Sequence, residues 1–412
     1  MVGGNDPRRG ATPYGAGVDS PLLDSPPRAV ARVNLAAVER NVAALRARLT
    51  GGAQLCAVVK ADAYGHGAVP VARAALAGGA RRLAVVTADE AVTLRAAGIT
   101  APLIVLGPLR GIEVDAVAAL GVEPVVSTDA ELDALERTGR RVAVHLKLDS
   151  GMGRLGERDP DAALRRCARV VEAPTLRLAG VMTHFATADD PGSAPFAAQL
   201  ERFTAFVARV RELAPDVVAH AANSAATIAE PASHFDMVRT GVAIYGLDPF
   251  GRDPAAHGLE PALTWTSRLA AIKQIETGGT VGYGCRFVAP APTWIGTVAV
   301  GYADGVRRAL GAVDPPAEVL VGGRRVPFAG TVSMDSFGVR LPDDHGARPG
   351  DLVTLIGADG DERVTAEELA AHLATINYEI TCGISARVPR VYHRDGAPVD
   401  ADPLTTDRRR AS

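Results

Sequence analysis

Lys60 is the residue of this chain with the clearest capacity for covalent chemistry. It follows an apolar run in the segment from Ala57 to Gly67, which reads AVVKADAYGHG. Apolar surroundings lower the pKa of a lysine towards the range in which its neutral amine attacks a carbonyl. An isolated lysine at a strand end more often extends into solvent. Here two glycines and a tyrosine let backbone and phenol approach a ligand closely, which favours an imine-forming lysine.

Two later segments have the composition of a phosphate site. Residues 220–224 (HAANS) place Asn223 and Ser224 at the start of a predicted helix, and residues 239–242 (RTGV) follow the next predicted strand. Backbone N–H groups in such loops bind phosphate. Taken alone, Ser224 is equally well explained as a helix cap. Opposite a lysine on the first strand, the two loops together indicate a cofactor that carries a phosphate.

An arginine and a histidine follow two strands in the middle of the chain. Residues 149–154 (DSGMGR) place Arg154 among glycines, where its guanidinium group would bind an anion such as a substrate carboxylate. A solvated arginine on a surface turn is the alternative. His184 closes another predicted strand, and it either stacks on a planar ring or is a half-buried histidine of the core.

The last third of the chain contains three short segments rich in turn residues and tyrosine. Tyr283 lies between two glycines, Tyr302 lies in the turn-like run GYADG, and Met334 ends a predicted strand in the run SMD. Tyr378 opens a fourth segment, YEITCGISARVPR. A tyrosine at a turn is more often a packing residue, so none of these segments is informative alone.

The elements that must position these residues alternate regularly in the first part of the chain. We predict strands at residues 54–59, 83–86, 103–106, 123–126, 142–148, 178–183, 217–220 and 237–239. Capping boxes at Thr87–Glu90 and Thr128–Glu131 start two of the intervening helices, and Gly98 and Gly121 fit their C-terminal ends. Eight strand–helix units indicate an α/β protein with a closed (β/α)8 barrel; an open doubly wound sheet is the alternative.

After Pro261 the pattern changes to short alternating runs at residues 267–275, 294–300, 317–321 and 352–355. One helix is predicted at residues 365–373, with a capping box at Thr365–Glu368. The prediction is a disordered arm at residues 1–27, the barrel at 28–260, a C-terminal mostly β domain at 261–395 and a disordered tail at 396–412.

Composition excludes several functions. A formal net charge of −3 gives no reason to expect nucleic-acid binding. The four cysteines lie far apart and lack metal-ligand spacing, so we expect no disulfide framework, no metal and a reducing, cytoplasmic location. The first residues contain no apolar signal-peptide core, and no run of about 18 apolar residues could span a membrane.

The segments around Lys60, Arg154, Arg239, Tyr283, Tyr302 and Tyr378 together closely resemble the bacterial alanine racemases, over about residues 28–392. The resemblance implies the predicted barrel and β domain, pyridoxal 5′-phosphate as cofactor, and a head-to-tail homodimer whose two subunits share each active site. It also implies interconversion of L-alanine and D-alanine, which supplies D-alanine for peptidoglycan.

The resemblance further implies a role for each residue. Lys60 would hold pyridoxal phosphate as an imine. The residues implied to surround the phosphate are Tyr64, Ser224, Gly241, Val242 and Tyr378. Arg239 would hydrogen-bond the pyridine nitrogen and His184 would pack beside the ring. Arg154, Tyr302 and Met334 would contact or admit the substrate, Tyr302 and Tyr283 coming from the partner subunit.

Two bases are implied on opposite faces of the substrate. Lys60 would serve D-alanine and Tyr283 would serve L-alanine. Lys147 matches a lysine that is often carbamylated in this family. Because arginine cannot accept a proton, Arg239 should leave the pyridine nitrogen unprotonated and weaken the cofactor as an electron sink. A broad-specificity racemase, a decarboxylase on the same barrel and a non-catalytic pyridoxal-phosphate carrier are the alternatives.

Overall fold

The structure is a computed structural model that describes residues 27–190 and 192–399. The arm predicted at residues 1–27 lies outside the described residues, except for Pro27. The predicted tail is partly wrong, because residues 397–398 form a strand that closes a hairpin. The remainder of that tail, from residue 400, lies outside the described residues.

Eight parallel strands close into the predicted barrel, which excludes the open sheet. Their residues are almost all buried, because parallel strands are covered by side chains inside the barrel and by helices outside it. This is why they read as continuous apolar runs. The barrel strands are β2 (Gln54–Val58), β3 (Arg82–Val85), β4 (Leu103–Val105), β5 (Glu123–Val126), β6 (Val142–Lys147), β7 (Leu176–Met182), β8 (Val218–His220) and β9 (Met237–Thr240).

Helices surround the barrel, and the predicted signals mark two of them correctly. Both capping boxes form, Thr87 with Glu90 and Thr128 with Glu131, and Gly98 adopts the left-handed φ of +76° just after its helix. The helices of this part are Leu35–Ala47, Ala68–Ala77, Ala88–Ala96, Gly111–Ala119, Asp129–Arg137, Pro160–Glu172, Ala194–Leu213 and Ser224–Ala229.

The last barrel unit departs from a simple strand–helix pair. After β9 the chain forms two short 3-10 helices, Val242–Tyr245 and Pro254–His257, and the described residues before the next strand contain no α-helix. The helix Leu35–Ala47 from before the barrel packs there instead, and its Asn41 side chain donates to the carbonyl of Ile244 at 3.3 Å. An N-terminal helix therefore completes the ring of helices around the barrel.

A second, ten-stranded sheet forms the C-terminal part of the molecule. One of its strands comes from the other end of the chain: β1 (Ala29–Asn34) pairs antiparallel with β10 (Leu263–Ile275) and parallel with β19 (Arg390–Arg394). Residues 28–260 were predicted to form the barrel, so the membership of this strand in the second sheet is a correction to that prediction. The alternation in AVARVN is typical of a strand, but it does not reveal the sheet to which the strand belongs.

The four strands and the one helix predicted for this part all form, whereas other strands, such as Arg324–Ala329, and the helix Asn377–Cys382 were not predicted. The predicted capping box at Thr365 is only half formed, because the Glu368 carboxylate binds Arg325 at 2.6 Å instead of returning to the cap. The remaining elements are β10 (Leu263–Ile275), β11 (Thr280–Val281), β12 (Phe287–Val288), β13 (Thr293–Val298), β14 (Glu318–Val321), β15 (Arg324–Ala329), β16 (Phe337–Leu341), β17 (Leu352–Asp359), β18 (Glu362–Val364), β19 (Arg390–Arg394) and β20 (Ala397–Pro398), with helices Ala366–His372 and Asn377–Cys382.

Candidate active site

A cavity of about 580 Å³ opens at the carboxyl ends of the barrel strands, the end at which barrel enzymes bind their ligands. Ten of the thirteen residues predicted for the site line it. They are Lys60, Tyr64, Lys147, Arg154, His184, Ser224, Arg239, Gly241, Val242 and Tyr378.

Lys60 lies two residues beyond the end of β2, at Val58, and not at the end of a longer strand as predicted. The chain then turns sharply, since Ala61, Asp62, Ala63 and Tyr64 all have left-handed φ values of 51–54°. This conformation costs about 1–2 kcal/mol per residue when a side chain is present. Burial and, next, the cation of Arg154 lower the pKa of Lys60, so its neutral amine is more accessible than that of an exposed lysine.

The two glycines beyond this turn were predicted to let the backbone approach a ligand, but they lie against C-terminal residues instead. Gly65 and Gly67 do not line the cavity. A Cβ on Gly65, whose φ is +85°, would lie 2.3 Å from the Thr381 carbonyl, and one on Gly67 would meet the Tyr392 hydroxyl. These glycines let the C-terminal part of the chain pack closely on the turn after Lys60.

Three residues that carry hydroxyl groups, Ser224, Tyr64 and Tyr378, line the cavity. Ser224 Oγ accepts the amides of Gly241 at 3.0 Å and Ala243 at 3.3 Å, which leaves its own proton free to donate. Tyr64 and Tyr378 lie with their ring centroids 5.8 Å apart. Neither phenol hydroxyl has a hydrogen-bond partner among the described residues. Asn223, not Ser224, caps the helix that follows.

Arg239 lies near the end of β9, and both of its terminal nitrogens donate hydrogen bonds to neutral groups. One terminal nitrogen donates to the carbonyl of His220, and the other donates to the carbonyls of Thr183 and Ala221 and to Nδ1 of His184. Nε has no partner among the described residues, although the side chain lines the cavity. Burial lowers the pKa of Arg239 to about 10, so the group remains a cation at neutral pH.

A chain of hydrogen bonds runs from Arg239 into the barrel core, and its direction is fixed. Arginine only donates, so His220 Nδ1 accepts at 3.0 Å and the proton of that imidazole is on Nε2. His220 Nε2 therefore donates to His145 Nδ1 at 2.8 Å, and His145 Nε2 donates to Glu123 at 2.9 Å. Burial lowers the pKa of both histidines, consistent with two neutral imidazoles.

Lys147 is buried at the end of β6 among other cations. Burial, then Arg239 and Arg154, lower its pKa to about 8. The following loop is ordered by Asp149, whose carboxylate accepts the amides of Gly151, Met152 and Gly153 at 2.8–3.1 Å. This turn places Arg154 at the cavity, where its guanidinium group has no partner among the described residues.

His184 lines the cavity and accepts a hydrogen bond from Arg239 at 3.2 Å. Burial, followed by the cation of Arg239, lowers its pKa well below the ordinary value. The imidazole is therefore neutral and presents an uncharged planar surface.

The three other predicted residues lie outside the cavity, together on the C-terminal part. The Tyr302 amide donates to the Ser333 carbonyl, next to Met334, at 3.0 Å. The Tyr283 carbonyl accepts the Thr331 hydroxyl at 2.8 Å. Their side chains are exposed to 71% for Tyr283, 52% for Met334 and 43% for Tyr302. The described chain thus carries ten of the predicted residues in its cavity and three on its surface.

Cys382 also lines the cavity and was not among the residues predicted for the site. It lies four residues after Tyr378 in the helix Asn377–Cys382, and residues four apart share a helix face. That spacing was the available signal. Within residues 27–190 and 192–399, no three His, Cys, Asp or Glu side chains are arranged to hold a metal ion. No helix of that part is long and apolar enough to cross a membrane.

The fold and the cavity define a class: a (β/α)8-barrel enzyme with an appended β domain, built around a lysine, an arginine and a cluster of hydroxyl groups. Residues 33–249 match the family model for the alanine racemase N-terminal domain, and residues 262–392 match that for the C-terminal domain. The chain belongs to the alanine racemase family and is an isomerase.

Individual members of this family are similar to the chain in sequence and in structure. The chain is 45% identical to the alanine racemase of Symbiobacterium thermophilum over 368 residues, 88% of this chain and 96% of the relative. Alanine racemase from Streptomyces lavendulae is structurally similar with a TM-score of 0.84, at 40% identity over 90% of this chain and 98% of that one. The Bacillus anthracis enzyme with bound L-Ala-P has the same TM-score and identity, over 93% and 99% of the two chains.

Proposed function

We propose that this chain interconverts L-alanine and D-alanine with pyridoxal phosphate as its cofactor, as a cytoplasmic homodimer that supplies D-alanine for peptidoglycan. The observation that carries the proposal is the placement of Lys60 and Arg239 in one cavity with three hydroxyl groups. This set combines an amine, a hydrogen-bond donor for a ring nitrogen and donors for an anion, at the end of the barrel where ligands bind.

The residues present fit pyridoxal phosphate. The amine of Lys60 would hold its aldehyde carbon, Nε of Arg239 would donate to its ring nitrogen, and the hydroxyls of Ser224, Tyr64 and Tyr378 would donate to its phosphate. His184 supplies a neutral planar neighbour for the ring. When bound, the cofactor withdraws electrons from the substrate Cα and makes its proton acidic.

The chain's own groups then move that proton. Lys60, with its lowered pKa, would take and return the Cα proton on one face, the face of D-alanine. The phenol oxygen of Tyr283 would act on the other face, that of L-alanine. Removal by one base and return by the other inverts the carbon. Arg154 would hold the substrate carboxylate and orient Cα between the two bases.

We propose that the second base comes from another copy of the chain. Tyr283 is 71% exposed and does not line the cavity of its own subunit, and Tyr302 and Met334 lie beside it. In a head-to-tail homodimer the surface that contains these three residues would close the partner's cavity. Two identical surfaces would be buried at once, as two-fold symmetry requires.

Assays of alanine beside serine, lysine and arginine test this function. Racemisation of alanine alone, or much faster than of the others, is expected, whereas comparable rates would favour a broad-specificity racemase. If the protein binds pyridoxal phosphate but moves no α-proton into deuterated water, the chain is a cofactor carrier. Release of carbon dioxide from an amino acid would favour a decarboxylase.

Ser224→Ala is expected to weaken cofactor binding about tenfold or more, because it removes one donor to the phosphate and the acceptor of two amides. Fluorescence titration of the protein with pyridoxal phosphate measures the change. Ser233→Ala is the matched control, since Ser233 is another buried serine whose hydroxyl donates to backbone carbonyls away from the cavity. Equal affinity in both variants would contradict the assignment of Ser224.

We also propose that Lys147 is carbamylated. Its amine lies near the cations of Arg239, Arg154 and Lys60. Carbamylation would turn the cationic side chain of Lys147 into an anion beside Arg154. A carbamate forms from the neutral amine, so its occupancy should rise as the pH increases through about 8. Carbon-13 NMR in labelled bicarbonate measures it. If the carbamate carbon-13 resonance of the unaltered protein is also present in Lys147→Gln, it does not come from Lys147, and carbamylation of this lysine is ruled out.

A further inference from the structure

Glu90 lies on a different barrel unit from Lys60 but contacts the backbone next to it. Oε1 of Glu90 accepts the amide of Ala61 at 2.6 Å. Ala61 is the first residue of the left-handed turn, and it lines the cavity. The contact therefore joins the start of a helix in one barrel unit to the residue immediately after the proposed catalytic lysine.

The same carboxylate has a second task. Its other oxygen, Oε2, accepts the amides of Val86 at 2.8 Å and Thr87 at 3.2 Å, which is the return half of the capping box. Glu90 thus accepts three backbone amides, one with one oxygen and two with the other. An ionised carboxylate accepts on both oxygens, and such charge-assisted bonds are stronger than neutral ones.

The barrel unit two further along the chain, which contains the helix Asp129–Arg137, provides a close comparison. Glu131 occupies the same position in the capping box with Thr128. Its Oε2 accepts the amides of Ser127 at 2.8 Å and Thr128 at 2.9 Å. Its Oε1 has no partner among the described residues. The two glutamates therefore cap their helices in the same way, and only Glu90 reaches across to the site.

We propose that Glu90 is a positioning residue, which holds the turn that follows Lys60 and thereby fixes the lysine in the cavity. The inference rests on the proposed function of Lys60. Four consecutive residues with side chains adopt left-handed φ values there, and a bond to the first amide of the turn holds the backbone where it leaves the lysine. Asp62 supports the other end, since its Oδ1 accepts the amide of Ala68 at 2.8 Å.

In the variant Glu90→Gln, glutamine separates the helix-capping role of the side chain from its contact with the Ala61 amide. Its side chain has one acceptor oxygen and one donor NH2 group. If the oxygen stays with the capping box, the NH2 group faces the Ala61 amide, and two donors then oppose each other. Glu131→Gln meets no such conflict, because its NH2 group can face away from the box. The pair of variants removes the same charge from equivalent helix caps.

Hydrogen–deuterium exchange of the full-length protein, read on peptides that cover residues 60–64, tests the contact directly. Glu90→Gln should accelerate exchange of the Ala61 amide about tenfold, whereas Glu131→Gln should leave it unchanged. In steady-state assays, kcat of Glu90→Gln should fall about tenfold with KM within about twofold, and Glu131→Gln should behave like the unaltered protein. If Glu90→Gln does not fold, Glu90→Asp, which is one methylene shorter, should give the same acceleration.

Exchange at Ala61 that matches the unaltered protein, or that changes equally in the Glu131 variant, would overturn the proposal. Unchanged exchange with lowered kcat would also overturn it, because the effect would then not pass through this turn. The exchange measurement does not depend on catalysis. If Lys60 proves dispensable for activity, the proposed function fails, while the exchange result still decides whether Glu90 holds the turn.

Discussion

Lys60→Ala is expected to abolish covalent attachment of the cofactor and to lower the racemisation rate by at least about 10³-fold. One general base alone accounts for roughly 10²–10⁴-fold in rate, and this lysine is also the proposed anchor. Borohydride reduction of the unaltered protein followed by digestion should place the cofactor mass on the Lys60 peptide. The variant should show that mass on no peptide.

The composition of the chain makes this experiment unusually clear. The sequence has only three lysines, Lys60, Lys147 and Lys273. Lys147 also lines the cavity, whereas Lys273 is exposed on β10. Lys273→Ala is therefore the control, with full labelling and activity expected. Cofactor found on Lys147 in the unaltered protein, or retained activity without Lys60, would refute the assignment.

Tyr283→Phe is expected to lower kcat/KM by about 10²–10⁴-fold in both directions, since it removes one of two bases. The loss must be equal in the two directions, because the equilibrium constant between enantiomers is one and no variant can change it. Exchange of the α-proton should nevertheless become one-sided. In deuterated water the variant should still exchange D-alanine through Lys60 and should fail to exchange L-alanine. Persisting exchange of both enantiomers would remove Tyr283 as a base.

The same variant tests the shared site. If Lys60 and Tyr283 of one site belong to different subunits, a mixed dimer of Lys60→Ala and Tyr283→Phe contains one intact site and one that lacks both groups. Random mixing of two inactive variants should then restore about a quarter of the sites. No recovery after subunit exchange, checked by mass spectrometry of the dimers, would place both bases in one chain.

The sequence predicted the parts of the site that depend on strand ends. Lys60, Lys147, His184 and Arg239 all follow or end barrel strands, and the carboxyl ends of parallel strands meet at one end of a barrel. The left-handed turn after Lys60 could not be predicted, because residues 61–64 include no glycine and alanine favours a right-handed helix. Its conformation depends on contacts with Glu90 and with C-terminal residues, which are remote in sequence.

Other features could not be predicted from local sequence patterns. Tyr283 is exposed and lies outside the cavity, and no local pattern distinguishes an exposed tyrosine of a site from one that packs at a turn. The sheet joined by β1 is decided by pairing with β10 and β19, more than 200 residues away. The direction of the hydrogen bonds from Arg239 to Glu123 required the distances, because a histidine ring can donate from either nitrogen.

The position of β1 has a consequence for how the molecule comes together. This strand lies between β10 and β19, so the first described strand of the chain has no partner in the sheet until β10 has been synthesised, and its second partner follows only near the end of the described chain. The barrel can close earlier, but the second sheet cannot be completed from C-terminal residues alone. Cutting the chain near residue 261 would therefore not yield two self-sufficient halves: the downstream piece would lack a central strand, and β19 and β20 would lose the link to the rest of their sheet.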